Sequence, residues 1–518
     1  MTAQSSTAAT MTDDLHAVVD VATRSRERSA THASSAAVGV AVLVAVAAGA
    51  VALFVALSAG PSGDELWTVH HVRARSVDQL WDGYRAAGDT LPPAGYLAFW
   101  SVGRVLGAGL VELRLVSVAA WGLAAGALAW TFRRSPLAVR AASALLPSAT
   151  AFVALGARAR PYGLEMLGLA LAIVAWRRTR SGPRSAGSHA ALATCLGLSV
   201  LLHYSAIVLV AALATAEWLD RDAPRRDRRR RLVAIGAGAL PLAASIPFVV
   251  SDAARHGRIP GAAGSVQVVA FYGYLLVPLL PLLVACAALG LRTGRTSRTC
   301  PGGGGRPAEH RDRVAQLTAG ATLLVVTPLL GVTAMALTSG VWFHRYGLAS
   351  VLGASLLLDL FGQRTAPAAW ARWLLVLGVA CSVPLALQRV ARETPSADEV
   401  ARLAADLRLP RHEPVLVASA YEYLLLHHDG PSGIRSAVRF LGSRDLRIPR
   451  RATISPGSLG AASPTADRWS LVGPDEVVRD VLRSQHLTVV DRMATTRFWF
   501  GGRRRTVVHV RVEPALRR

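Results

Sequence analysis

Between Ala36 and Leu387 the chain alternates apolar runs of roughly 17–25 residues with short polar stretches rich in arginine. Each run is long enough to cross a hydrocarbon layer of about 30 Å as a helix, so repetition of the pattern predicts a polytopic α-helical membrane protein of about 11 spans. The first span is expected over Ala36–Ala59, with residues 1–35 as a disordered cytoplasmic tail. From residue 389 to 518 the pattern changes. Asp398–Leu407 and Tyr421–His428 have helical spacing, whereas Pro414–Ser419, Leu487–Val490 and Thr506–Val512 read as strands. We expect a small extracytoplasmic α/β domain there, after a transmembrane domain over 36–388.

Arginine placement orients the spans. Arg24, Arg26 and Arg28 precede the first run, which puts the N-terminus in the cytoplasm and Asp64-Glu65 outside. The segment Leu91–Trp100 and the run after it could span or lie in the interface. If it spans, Arg133, Arg134 and Arg140 fall outside; if it lies flat, they and every later arginine cluster fall inside, so the flat reading is adopted. The next spans are then expected near Leu115–Phe132, up to Ala157 and up to Trp176, with two more flanking His203-Tyr204. Arg225–Arg231 forms the most basic inner loop, and Arg292–Arg313, with Gly302–Gly305, a flexible inner one.

Composition adds limits to this picture. The chain is 52% hydrophobic and 17% charged, with mean hydropathy +0.36 and net charge +24. So basic a soluble protein would suggest nucleic acid, but here the arginines sit between apolar runs, and no nucleic-acid partner is expected. The sequence has no lysine, which excludes lysine-base and Schiff-base chemistry. Cys195, Cys286 and Cys381 lie in apolar runs and Cys300 in a glycine-rich loop, without metal spacing.

At the outer ends the scheme collects Asp64, Glu65, His70, His71, Tyr96, Arg158, Arg160, Tyr162, His203, Tyr204, His344, Arg345 and Tyr346, while the span interiors hold almost nothing ionisable. That argues for chemistry at the outer interface rather than transport through the bilayer. A carboxylate can take the proton of an acceptor hydroxyl while arginine and tyrosine stabilise a phosphate leaving group. The second carboxylate can steer the first or join it in holding a divalent cation (Mg2+, Mn2+ or Ca2+), and an acidic pair alone is compatible with either answer. Tyr96, Trp100 and Trp342 read as an interfacial aromatic belt, Arg158 and Arg160 equally as outer-leaflet anchors, and His203 and Tyr204 as structural.

These residues carry a resemblance. Asp64-Glu65 shortly after the first span, the Pro-Pro segment Leu91–Trp100, Glu112-Leu113-Arg114-Leu115, Ala157–Tyr162 and Phe343-His344-Arg345-Tyr346 resemble the GT-C class of polyprenyl-phosphate-sugar glycosyltransferases. The nearest group holds the protein O-mannosyltransferases and the aminoarabinose transferase acting on lipid A. The resemblance implies a GT-C fold with juxtamembrane helices in the first outer loop, in the cell membrane. It also implies inverting transfer of a sugar, mannose or another hexose or pentose, to an envelope glycan, lipid or protein.

In its terms Asp64 is the catalytic base, supported by Glu65. Tyr346 and Arg345, with Arg158, Arg160 and Tyr162, bind the donor phosphate, while Pro92, Pro93, Tyr96, His71 and His344 shape the site. One departure is that Leu91-Pro92 stands where the aminoarabinose transferase has a phosphate-binding lysine before the proline. Two rival readings are a flippase of lipid-linked sugars, which needs polar residues at mid-bilayer, and a scaffold, which would leave Asp64 and Glu65 without convergent partners.

Overall fold

The computed structural model describes residues 35–87, 91–181, 185–244, 246, 265–296, 307–337, 347–365, 369–393, 402–403, 405–409, 415–417, 426, 438–440, 469–484, 487–500 and 503–514. The expected loop of His344, Arg345 and Tyr346, the tail before Ser35, Trp342, Gly302–Gly305 and Tyr421–His428 apart from Leu426 lie outside the described residues.

Helix α1 (Ser35–Ser58) is apolar and exposes Leu43, Val46, Phe54 and Leu57 on its outer side, the distribution of a helix solvated by lipid. It packs on α5 (Leu110–Thr131) where Gly122 and Gly126, four residues apart, meet the backbone of Ala41 and Ala45. A methyl group at Gly122 would stand 2.7 Å from the Ala45 carbonyl oxygen, so the two backbones touch only because glycine is there.

Between these helices the chain turns through α2 (Gly63–Val72), α3 (Val77–Ala87) and α4 (Pro93–Leu106) without crossing. Arg140 shows why: its guanidinium donates to Ala37 at the start of α1 and to Ala129 near the end of α5, so these two termini lie at one end of the molecule. At 14 residues α4 is too short to span; it buries Tyr96 and Phe99 and exposes Leu97, Val105 and Leu106. Its length is compatible with the flat reading and too short for the spanning one.

The third expected span is not one helix. α6 (Leu137–Leu145) gives way to a 3-10 turn at Leu146–Ala149 and a short α7 (Val153–Ala157). Pro147 lacks the N–H that would continue the ladder, and Ser148 instead accepts from the Trp121 indole at 3.0 Å. α8 (Tyr162–Ser181) packs between α5 and α9 (Ala186–Leu202), followed by α10 (Ile207–Leu219) and α11 (Arg225–Ala239). Further helices cover Ser265–Leu276, Leu280–Thr296, Pro307–Leu337, Leu348–Thr365 and Ala369–Glu393.

The C-terminal part holds a five-stranded sheet in the order β2-β1-β3-β5-β4, from β1 (Val415–Val417), β2 (Val438–Phe440), β3 (Trp469–Pro474), β4 (Leu487–Phe500) and β5 (Arg503–Pro514). β1 runs parallel to β2 and β3; β5 runs antiparallel to β3 and β4. With the helix Asp475–Ser484 it encloses Leu416, Leu471, Val478 and Val510. The last two strands run beyond the expected ranges, β4 on through Asp491–Phe500 and β5 from the Arg503-Arg504-Arg505 flank.

Candidate active site

Helix α2 starts at a capping box: Ser62 accepts from the Glu65 N–H, and the Glu65 carboxylate accepts from the Ser62 N–H at 3.0 Å. The same carboxylate takes both arms of the Arg114 guanidinium, Nε to Oε1 at 2.7 Å and Nη2 to Oε2 at 2.8 Å, and the Ala159 N–H at 2.9 Å. Arg114 donates further to the carbonyls of Ala56, Ala59 and Gly60, the groups that the end of α1 leaves without helical partners. One ion pair thus joins α1, α2, α5 and the turn at Ala159. Burial alone would raise the Glu65 pKa, but Arg114, then Arg158 and the Ala159 N–H, hold it below the ordinary carboxylate value.

The same geometry bears on the two roles open to Glu65, steering Asp64 or joining it in holding a divalent cation. Glu65 is fully buried and each of its oxygens already accepts two hydrogen bonds. Among the described residues no third histidine, cysteine or carboxylate joins them in a metal-like group. Glu65 therefore fits the orienting role better than the cation-holding one.

Successive helical residues point about 100° apart, so Asp64 faces elsewhere. It shares a stripe with Thr68 and His71, spaced four and three residues on. Thr68 and His71 are buried and Asp64, at the helix start, is half-exposed. The stripe lies against Arg160, whose guanidinium donates to the Tyr96 hydroxyl at 2.6 Å and to Thr68 at 3.3 Å. His71 sits edge-on to the Tyr96 ring, 5.2 Å between centroids. Neither belt nor anchor describes these residues: Tyr96 and Arg160 are both buried.

Pro92 caps α4 and Pro93 opens it, so the pair fixes how that helix enters. Gly95 then lets α4 press on the turn before α8, where a methyl group would stand 2.4 Å from Pro161. Trp100 is anchored by its indole N–H to the Ala74 carbonyl at 2.8 Å. Arg158 is half-buried beside Glu65. Tyr162 is buried and stacks obliquely near His203, 5.3 Å away.

The span interiors hold more charge than their sequence suggests. Glu165 is fully buried in α8, where Ser205 donates to it at 2.7 Å and His203 lies 3.9 Å off. At the opposite end Glu217 on α10 pairs with Arg180 and Arg231, each at 2.6 Å, and Asp359 is bonded by Gln316, Gln363 and Ser135. Sequence reasoning missed Glu165 and Ser205, and singled out Arg114 only within a motif, without a role. A lone glutamate inside an apolar run was the available signal, since such a residue must have a partner.

No family model and no curated protein matches the chain in sequence. In structure it is similar to ArnT from Cupriavidus metallidurans in the apo state, at TM-score 0.54 and 14% identity, over 90% of this chain and 97% of that one. The chain has the GT-C fold. ArnT bound to undecaprenyl phosphate matches over the same extent at TM-score 0.52. The S. cerevisiae Pmt1-Pmt2 protein O-mannosyltransferase complex bound to its sugar donor matches over 40% of this chain, at TM-score 0.32 and 15% identity. The GT-C fold makes the chain a polytopic helical membrane protein, as its long apolar helices require.

Proposed function

We propose that the protein is an inverting glycosyltransferase that moves a sugar from a polyprenyl-phosphate donor to an envelope glycan, lipid or protein on the extracytoplasmic side. The acceptor O–H attacks the anomeric carbon. The bond from that carbon to the phosphate oxygen breaks, polyprenyl phosphate leaves with the electron pair, and Asp64 receives the acceptor proton. The fold supports the reading, since ArnT has been solved with undecaprenyl phosphate bound. The observation that carries it is the half-exposed Asp64 at the open end of a buried stripe backed by Arg160 and Tyr96. A carboxylate on the first turn of a helix, with a guanidinium bonded to Thr68 on the next turn of the same face, offers the two charges that proton removal and phosphate departure require.

In this account Glu65 holds the site together without touching substrate, and Arg160 stabilises the leaving phosphate, with Arg158 and Tyr162 behind it. By the sequence resemblance alone, Arg345 and Tyr346 bind the donor phosphate, and His344 joins Pro92, Pro93, Tyr96 and His71 in shaping the site.

The test is transfer itself. Purified protein in lipid, given labelled polyprenyl-phosphate sugars and an envelope extract, should label a product; no product with any sugar would refute the reading. A cysteine placed at position 62 should react with an impermeant reagent from outside intact cells, and reaction only from inside would invert the orientation.

A further inference from the structure

At the end of the molecule away from Glu65 lies a cavity of about 1070 Å3, larger than any void a packed helical bundle needs. It is walled by the turn after α5, the end of α8, the start of α11 and the helices Pro307–Leu337 and Leu348–Thr365. Part of its charge is internal scaffolding. Arg180 is held by Glu217 and Asp220 at 2.6 and 2.7 Å, Arg177 by Asp312 at 3.0 Å, and Arg231 by Glu217. Those carboxylates are spent on those arginines, which leaves the wall with excess positive charge. Arg134 and Arg230 line the same cavity, and among the described residues neither forms an ion pair.

A second hollow of about 710 Å3 runs between α9 and α11 and shares His189 and Arg230 with the first. Its wall is of another kind: Ala186, Ala190 and Ala193 on α9, with Val233, Ala234 and Ala237 on α11. Arg226, Arg229 and Arg230 stand at its charged mouth. From Arg226 to Ala237 a helix rises about 16 Å, close to the depth of one lipid leaflet. Small side chains on both helices leave the space that a hydrocarbon chain would fill. Topogenic arginines need only reside in the loop; they do not require a cavity joined to an apolar slot.

We propose that this end binds a lipid with a net-anionic phosphate head group, its head among Arg134, Arg230 and the braced arginines and one hydrocarbon chain in the slot between α9 and α11. Charge complementarity selects an anionic over a zwitterionic phosphate head, and the adjoining apolar slot selects a lipid over free phosphate. The site lies at the opposite membrane face from the proposed transfer chemistry and stands whether or not that reading holds.

Native mass spectrometry of the full protein in detergent, titrated with phosphatidylglycerol or phosphatidylcholine, tests this. Phosphatidylglycerol should bind tightly and phosphatidylcholine weakly. The double variant Arg134→Gln/Arg230→Gln should weaken the former roughly 30-fold, the loss expected for two guanidinium contacts. Ala190→Phe, which fills the slot without changing charge, should also weaken it, with each variant's thermal midpoint showing that it is folded. Equal binding of the two lipids, or no response to either folded variant, would overturn the proposal. Displacement of phosphatidylglycerol by millimolar inorganic phosphate, with no effect of Ala190→Phe, would mark a free-anion site and overturn it too.

Discussion

The Glu65–Arg114 pair makes a quantitative prediction. Replacing Arg114 by methionine keeps the bulk of the stem but removes two bonds to a fully buried carboxylate and three to the carbonyls of Ala56, Ala59 and Gly60. A buried charge left without its partner costs about 3–5 kcal/mol, and orphaned carbonyls add about 1 kcal/mol or more. At roughly 1–2 °C per kcal/mol for a domain well above 250 residues, the thermal midpoint in detergent should fall by about 5 °C or more. Glu65→Gln should also destabilise, because it strands the guanidinium instead. Glu65→Leu combined with Arg114→Met strands neither, so its loss should be smaller than the sum of the singles by about 2 kcal/mol. Midpoints followed by tryptophan fluorescence provide the measurement. Single variants within about 2 °C of the wild type, or strict additivity in the double, would refute a buried pair that joins α1, α2 and α5.

Other predictions follow from the same geometry. Glu65 is ionised in the folded protein with its pKa below the ordinary 4.5, so its stabilising contribution is complete above that value and is lost as pH falls through the lowered one. The midpoint of the wild type should therefore hold from neutrality to about pH 5 and drop below it, a drop that Glu65→Gln should lack; equal acid sensitivity would contradict this. Gly95→Ala drives a methyl into Pro161 and should cost about 1–3 kcal/mol in thermal unfolding, whereas an unchanged midpoint would mean α4 does not press on that turn. Arg160→Met should raise the KM for a polyprenyl-phosphate sugar roughly 10- to 100-fold, the worth of a charge-assisted contact, and Tyr96→Phe only a few-fold; an unaltered KM would remove Arg160 from the donor site.

The membrane architecture was legible because it depends on local composition. Apolar length predicts spans, and arginine placement predicted that α1 and α5 would bring their arginine-flanked termini to one end, as the Arg140 contacts to Ala37 and Ala129 bear out. That α4 would not be a span was legible for the same reason: only 14 residues form it. The break at Pro147 was not, because an apolar run with an internal proline can kink or stop, and the choice depends on Trp121 and Ser148 coming together across 27 positions.

At the acidic pair the separate roles of Asp64 and Glu65 were legible, but the partner of Glu65 was not: it answers to an arginine 49 positions away. No local pattern encodes that distance. The stripe of Asp64, Thr68 and His71 was legible from spacing alone, whereas its meeting with Arg160 and Tyr96 required the turn at Pro161 to fold back on α4. Glu165 went unremarked for a similar reason: its partner Ser205 comes from beyond the next helix.

Asp64 as base and Glu65 as scaffold are two different roles for adjacent carboxylates, and one comparison separates them. Sugar transfer from a labelled polyprenyl-phosphate donor should be measured for the wild type and Asp64→Asn in lipid, alongside their thermal midpoints. The account predicts transfer reduced by roughly 100-fold or more in Asp64→Asn at an unchanged midpoint, the signature of a lost base on an intact scaffold. Transfer that survives Asp64→Asn at near wild-type rate would contradict it.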